Sequence, residues 1–278
     1  MERRREPVAK GSLAQSVEQI AGLADELAGV VPEAGAAGLI VPGIWNPRDG
    51  TAWAPNLWGL DHVPLMGALR ERIRLPLAIA SDRTGSVLAE AWLGSARGLS
   101  DVVFLAVGTG IGAGILSGGR VIEGHGGIAG AVGWMAITDL WRPEYESRGC
   151  LEYEGAGPSL TMHMYEWGAS GEFTPETVAV LARAGIRDAM AAIHSTAQAL
   201  GRGIANLVST LNPELVVIGG GLVEAWDLLE TPMREEFARW AQPVAASQVR
   251  FTPSSLGVDA GLFGAARIAL DLPVGWRE

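Results

Sequence analysis

Lysine occurs once in the chain, at Lys10, and cysteine once, at Cys150. The lone lysine excludes a Walker-type phosphate loop and leaves no Schiff-base candidate. The lone cysteine excludes an internal disulfide and any cysteine-cluster metal site. His62, His125, His163 and His194 show no metal-ligand spacing. No apolar run reaches the length of a membrane span. The start, MERRREPVAKGS, is basic but lacks the apolar stretch of a secretory signal, so a cytoplasmic protein is expected. Positive charge is also scarce, with 21 Lys and Arg against 31 Asp and Glu and a net charge of −10. A duplex-binding surface needs clustered cations, so no nucleic-acid partner is expected, and Arg3–Arg5 reads as a solvated tail.

What is present is an ordinary globular composition, 48% hydrophobic over 278 residues, enough for one large domain or two modest ones. Ser12 is placed to cap a helix whose Leu13, Val17, Ile20, Ala24 and Leu27 share one face. Short apolar runs at 37–43, 76–82, 101–107 and 248–254 read as strands, and 214–222 as a strand, a glycine turn and the start of a helix. Helical patterns lie between and after them, at 86–96, 186–211 and 261–270. The alternation predicts an α/β fold, and GSARG at 94–98 reads as a linker. No low-complexity segment or strong tandem repeat occurs.

The stretch VGTGIGAG, 107–114, formally fits a dinucleotide fingerprint at Gly108-Thr109-Gly110-Ile111-Gly112-Ala113. A Rossmann site requires a helix directly afterwards. Here GILSGGRVIEG follows, with apolar stretches on both sides of Gly118-Gly119, which predicts a hairpin. A hairpin turn of small residues can still offer backbone N–H groups to a phosphate; the alternative is a glycine turn kept for packing. A second strand-to-glycine turn, VVIGGG at 216–221, lies about 110 residues on. Two such turns point to one nucleotide held twice. Asp82 precedes both at a strand end, where it could act as a base or cap the next helix.

These features resemble the ROK family of repressors, uncharacterised reading frames and sugar kinases, most closely its glucokinase-like members. The likeness rests on VPG at 41–43, APNLWGLDHVPL at 54–65, LAEAWLGSARGLSDVVFLAVGTGIGAGI at 88–115, SRGCLE at 147–152 and LGRGIANLVSTLNPELVVIGGGL at 200–222. The resemblance implies the actin-like ATPase (RNase H-like) fold with two domains. Residues 1–96, with a helix at about 259–278, would form an incomplete N-terminal domain, and 97–258 the larger C-terminal one. It implies ATP with Mg2+ as cofactor, a hexose as acceptor, and a homo-oligomer. Asp82 becomes the catalytic base. Gly43, Asn56, Ser81 and Glu152 fall on the sugar side, and Gly108, Thr109, Gly110, Gly112, Gly219, Gly220 and Gly221 on the nucleotide side.

The family pattern is broken in four places. The family's first phosphate loop, D-x-G-G-T, has no counterpart, since Gly-Gly-Thr occurs nowhere, and Asp49-Gly50-Thr51 lies in a turn. A chain shortened at its N-terminus is therefore expected. The E-x-G-H stretch reads Ala131-Val132-Gly133-Trp134. The zinc knot, C-x-C-G-x-x-G-C-L-E, keeps only Cys150, with Pro143 and Tyr145 at the other cysteine positions, so no zinc is expected. Ser81 stands for the usual Asn before the base, and Arg83 for the small residue after it. These losses predict a kinase of weak activity or none. The alternative is a non-catalytic member that binds sugar or nucleotide; a repressor's helix-turn-helix is absent from the chain as given.

Overall fold

The computed structural model describes residues 2–272. Within them the chain divides into two compact units, one of residues 2–89, 123–129 and 259–272, the other of 90–122 and 130–258.

The first unit opens with α1 (Leu13–Val30), and Ser12 Oγ accepts the N–H of Gln15 at 3.2 Å as its cap. Strands β1 (Ala37–Val41) and β4 (Leu77–Ser81) pair in parallel, from Ala37 with Leu77 to Val41 with Ser81. Between them lie the β2 (Ile44–Asn46)–β3 (Thr51–Trp53) hairpin, α2 (Pro55–Trp58) and α3 (Leu65–Arg70). Val17 and Ala21 of α1 join Leu65, Leu69 and Ile79 in one buried cluster, against which Leu39 packs. Successive strand residues face opposite ways. Gly38 accordingly turns from that cluster, and a Cβ there would lie 1.8 Å from the carbonyl oxygen of Ala265. That contact belongs to α12 (Ala260–Leu270), the last element of the chain.

Helix α4 (Asp82–Leu93) begins four residues earlier than the sequence pattern predicts. The reason is Ser81, whose Oγ accepts the N–H of Thr84 at 3.3 Å and bonds its hydroxyl at 3.1 Å. The capping role considered for Asp82 thus falls to Ser81. Asp82 is the first residue of the helix, with its carboxylate exposed.

The second unit is built on a five-stranded sheet of order β7-β6-β5-β8-β9. Its strands are β5 (Val102–Val107), β6 (Ile111–Ser117), β7 (Arg120–Val121), β8 (Leu215–Gly219) and β9 (Arg250–Pro253). β5, β8 and β9 run parallel, while β6 is antiparallel to both its neighbours. The predicted turn at Gly118-Gly119 joins β6 to β7, with φ of 55° and 75° at the two glycines. Helices α5 (Tyr145–Arg148), α6 (Cys150–Gly155), α7 (Gly157–Glu166), α8 (Pro175–Arg183), α9 (Arg187–Leu211), α10 (Trp226–Trp240) and α11 (Pro243–Gln248) complete the unit. Long α9 is its spine. A Cβ at Gly203 would come within 2.5 Å of Leu151, and one at Gly201 within 2.6 Å of the Met233 carbonyl oxygen. Those two glycines let α6 and α10 lie close against α9. No described helix is long and apolar enough to cross a membrane.

Candidate active site

In open parallel sheets, ligands bind outside the carboxyl ends of the strands. In the first unit the carboxyl ends of β1 and β4 lie side by side, bringing Gly43 near Ser81, Asp82 and Arg83. Arg83 Nη2 donates to the Gly43 carbonyl at 3.4 Å. Gly43 has φ of 86°, and a Cβ there would lie 2.2 Å from the Trp53 carbonyl oxygen. The glycine is required by the hairpin that follows. Asp82 is solvent-accessible, yet protein crowded around it raises its pKa by desolvation; the N–H and charge of Arg83 oppose this without cancelling it. Asn56 lies exposed on α2, with no side-chain hydrogen bond among the described residues.

In the second unit, pairing of Ala106 with Gly219 sets the ends of β5 and β8 together, so both glycine turns emerge at one place. A cavity of about 690 Å³ opens there, lined by Gly108, Thr109 and Gly221. The N–H groups of Thr109 and Gly110 have no acceptor among the described residues. Gly108 is committed, its N–H to the Gly110 carbonyl at 3.0 Å and its carbonyl to the Gly157 N–H at 2.8 Å.

Four of the predicted glycines do not line this cavity. Gly112 lies within β6 opposite Ala106. Gly110 sits over the carboxylate of Glu152, 2.7 Å from where its Cβ would be. A Cβ at Gly219 would strike the Phe104 ring at 2.3 Å, and one at Gly220, where φ is 91°, the Val107 carbonyl oxygen at 2.3 Å. These four shape the turns from behind.

Sequence reasoning missed the rest of the wall, which includes the first residues of α7 (Gly157, Pro158) and α8 (Pro175, Glu176). Only α7 meets the cavity by its first turn; α8 lies along the wall, with Pro175, Glu176, Ala179, Val180 and Arg183 on one face. The signal was readable in TPET at 174–177, where Thr174 and Thr177 form a capping box around Pro175. Arg183 also lines the cavity. It pairs with Asp227 through two bonds of 2.6 and 2.9 Å and donates to the Glu224 carbonyl at 2.9 Å.

A second cavity, of about 400 Å³, shares Thr109 and Pro158 with the first and contains Glu152. Glu152 Oε2 accepts the N–H of Ile111 at 2.8 Å, while Oε1 has no partner among the described residues. Burial raises its pKa, opposed by the Ile111 N–H and the charge of Arg148.

The residues at the zinc-knot positions do not fit zinc. Cys150 is buried, with its sulfur taking the Ile137 N–H at 3.5 Å. Tyr145 is buried too, donates to Glu154 Oε1 at 2.5 Å, and packs edge-on against Trp141 and Tyr153. Trp134 offers an exposed indole, which is no metal ligand. Among the described residues no group of three His, Cys, Asp or Glu side chains is placed to hold a metal ion.

Paired glycine turns at the ends of parallel strands, with a strand-end carboxylate in a second α/β unit, define the actin-like ATPase class. Within it this chain belongs to the ROK family, whose family model matches residues 2–272. It is 30% identical over 246 residues to a glucokinase of Halalkalibacterium halodurans, an alignment covering 82% of this chain and 73% of that protein. Among solved structures, a ROK hexokinase from Thermus thermophilus superposes with a TM-score of 0.81 at 29% identity, over 95% of this chain and 89% of that one. A ROK glucokinase from Streptomyces griseus, in complex with glucose and AMPPNP, gives 0.76 at 25% identity over the same shares.

Proposed function

We propose that this chain binds ATP in the cavity between its two glycine turns and passes the terminal phosphate to a hexose hydroxyl, slowly, with Asp82 as base. The observation that carries the reading is the cavity at the ends of β5 and β8, where both glycine turns meet and the N–H of Thr109 lacks an acceptor among the described residues. Membership of a family that includes the glucokinases supports the choice of reaction and acceptor.

In the step proposed, the acceptor hydroxyl gives its proton to the Asp82 carboxylate as its oxygen bonds the terminal phosphorus. The bond from that phosphorus to the bridging oxygen breaks, and ADP leaves. Magnesium would enter with ATP, since nucleotide phosphates, water and one or two carboxylates usually supply its ligands. The low rate follows from the sugar side. Ala131 and Trp134 replace a glutamate and a histidine of the family pattern, and neither can orient a hydroxyl as those do. A general base contributes about 10²–10⁴-fold, and the rest must come from holding the reactants in place.

The test is glucose-dependent release of ADP by the purified chain and by Asp82→Asn. Slow release that vanishes in the variant is expected. Release that survives Asp82→Asn would remove Asp82 from the reaction, and rapid turnover would overturn the reading of the sugar side.

A further inference from the structure

We infer that Arg148 binds the terminal phosphates of the nucleotide, an inference that rests on the reading of the first cavity as the nucleotide site. The two cavities share Thr109 and Pro158, so they meet at the tip of the first glycine turn. A nucleotide seated in the first cavity can run its phosphate chain across Thr109 into the second.

The cations available to it are few. Arg183, in the first cavity, is neutralised by the paired bonds to Asp227. In the second cavity the one cationic side chain on the wall is Arg148, which has no ion pair or side-chain hydrogen bond among the described residues. Of the acids beside it, Glu166 pairs with Arg142 at 2.6 Å, and Glu152 holds the Ile111 N–H through Oε2 while its charge interacts with that of Arg148 without a direct ion pair. The Arg148 side chain is exposed, and the backbone beside it is constrained. Arg148 ends α5 immediately before Gly149, whose φ is 82° and whose Cβ would lie 2.5 Å from the Gly133 carbonyl oxygen. A guanidinium on so constrained a backbone suits a phosphate, which it can grip through two parallel N–H bonds.

The experiment is calorimetric titration of the full chain, of Arg148→Ala and of Arg148→Lys with AMP, ADP and Mg-ATP. AMP affinity should be equal in all three proteins, which also shows that the variants fold. ATP affinity should fall about ten- to a hundredfold in Arg148→Ala, the size of one or two charge-assisted hydrogen bonds, and recover in part in Arg148→Lys. An unchanged ratio of ATP to AMP affinity in Arg148→Ala overturns the role of Arg148 and leaves the nucleotide reading standing. Equal loss of AMP and ATP in that variant overturns it also, because the effect would then not be confined to the terminal phosphates. Failure of the unaltered chain to bind any of the three removes the nucleotide reading and this inference together.

Discussion

The carboxylate of Glu152, on α6, holds the backbone N–H of Ile111 at 2.8 Å, directly after the glycine turn 108–110. The bond ties α6, which begins at Cys150, to the turn that lines the first cavity. Glu152→Ala leaves that N–H without its partner, at a cost of about 1–3 kcal/mol. Lower thermal stability and weaker ATP binding are expected together. Glu152→Gln keeps an acceptor oxygen and should retain most of both, as thermal melts and calorimetry of the two variants would show.

The second turn separates shape from contact. Gly220 needs positive φ and has no room for a Cβ, whereas Gly221 lines the cavity with nothing within 4 Å of its Cβ position. Gly220→Ala should destabilise the protein by about 1–3 kcal/mol through backbone strain, with the clash against the Val107 carbonyl adding to it. Gly221→Val should melt close to the unaltered chain yet bind ATP far less well. Intact ATP binding in Gly221→Val would place the nucleotide elsewhere.

Asp82 carries a pH signature. Desolvation raises its pKa above the ordinary 3.8, so its base form is lost at a higher pH than for a free carboxylate. Turnover should therefore rise with pH through a single ionisation above 3.8 and then level. A rate already flat down to pH 4 would show that Asp82 is not the titrating base.

The core of this fold was legible because its strands are short apolar runs ending in glycine turns, as at Val102–Val107 and Leu215–Gly219. The predicted helix at 186–211 differs from α9 by one residue at its start, since its apolar face is continuous and Asn212, at φ 46°, stops it. The β2–β3 hairpin escaped notice because three-residue strands carry no period to read, and Asp49 builds its turn by taking the Thr51 N–H at 3.0 Å. Legibility of the site follows the same logic. Gly108, Thr109 and Gly221 stand in conspicuous loops, but Arg148 and Arg183 become neighbours of those loops only through tertiary packing.

Between α9 and α10, Glu236 is 3% exposed and held by Arg202 at 2.7 Å and by the Trp240 indole at 2.9 Å. Burial pushes its pKa up, but the bonds from Arg202 and Trp240, with the nearby charges, outweigh that and leave it lowered. A lowered folded-state pKa contributes stability that is present above the unfolded value, about 4.3, and lost as pH falls through the folded one. Glu236→Ala should cost about 1.5–3 kcal/mol at neutral pH, and less below pH 4. Chemical denaturation at pH 7 and pH 3.5 measures both. A penalty equal at the two values would assign the effect to packing instead of charge.

The knot region should be stable without metal, because hydrogen bonds and aromatic packing join the segments that a metal would otherwise clamp. Tyr145 of α5 bonds Glu154 of α6 at 2.5 Å, and Arg142 reaches Glu154 at 3.5 Å and Glu166 of α7 at 2.6 Å. Burial, then the bond to Glu154, holds the Tyr145 hydroxyl far above its ordinary pKa, so it is a donor at neutral pH. Protein purified without chelator should carry no stoichiometric zinc, and EDTA should leave its melting temperature unchanged. Tyr145→Phe removes one hydrogen bond while Arg142 still partners Glu154, so a loss of about 0.5–1.5 kcal/mol is expected. One zinc per chain by elemental analysis, or a melting temperature lowered by EDTA, would show that ligands outside Pro143, Tyr145 and Cys150 bind the metal.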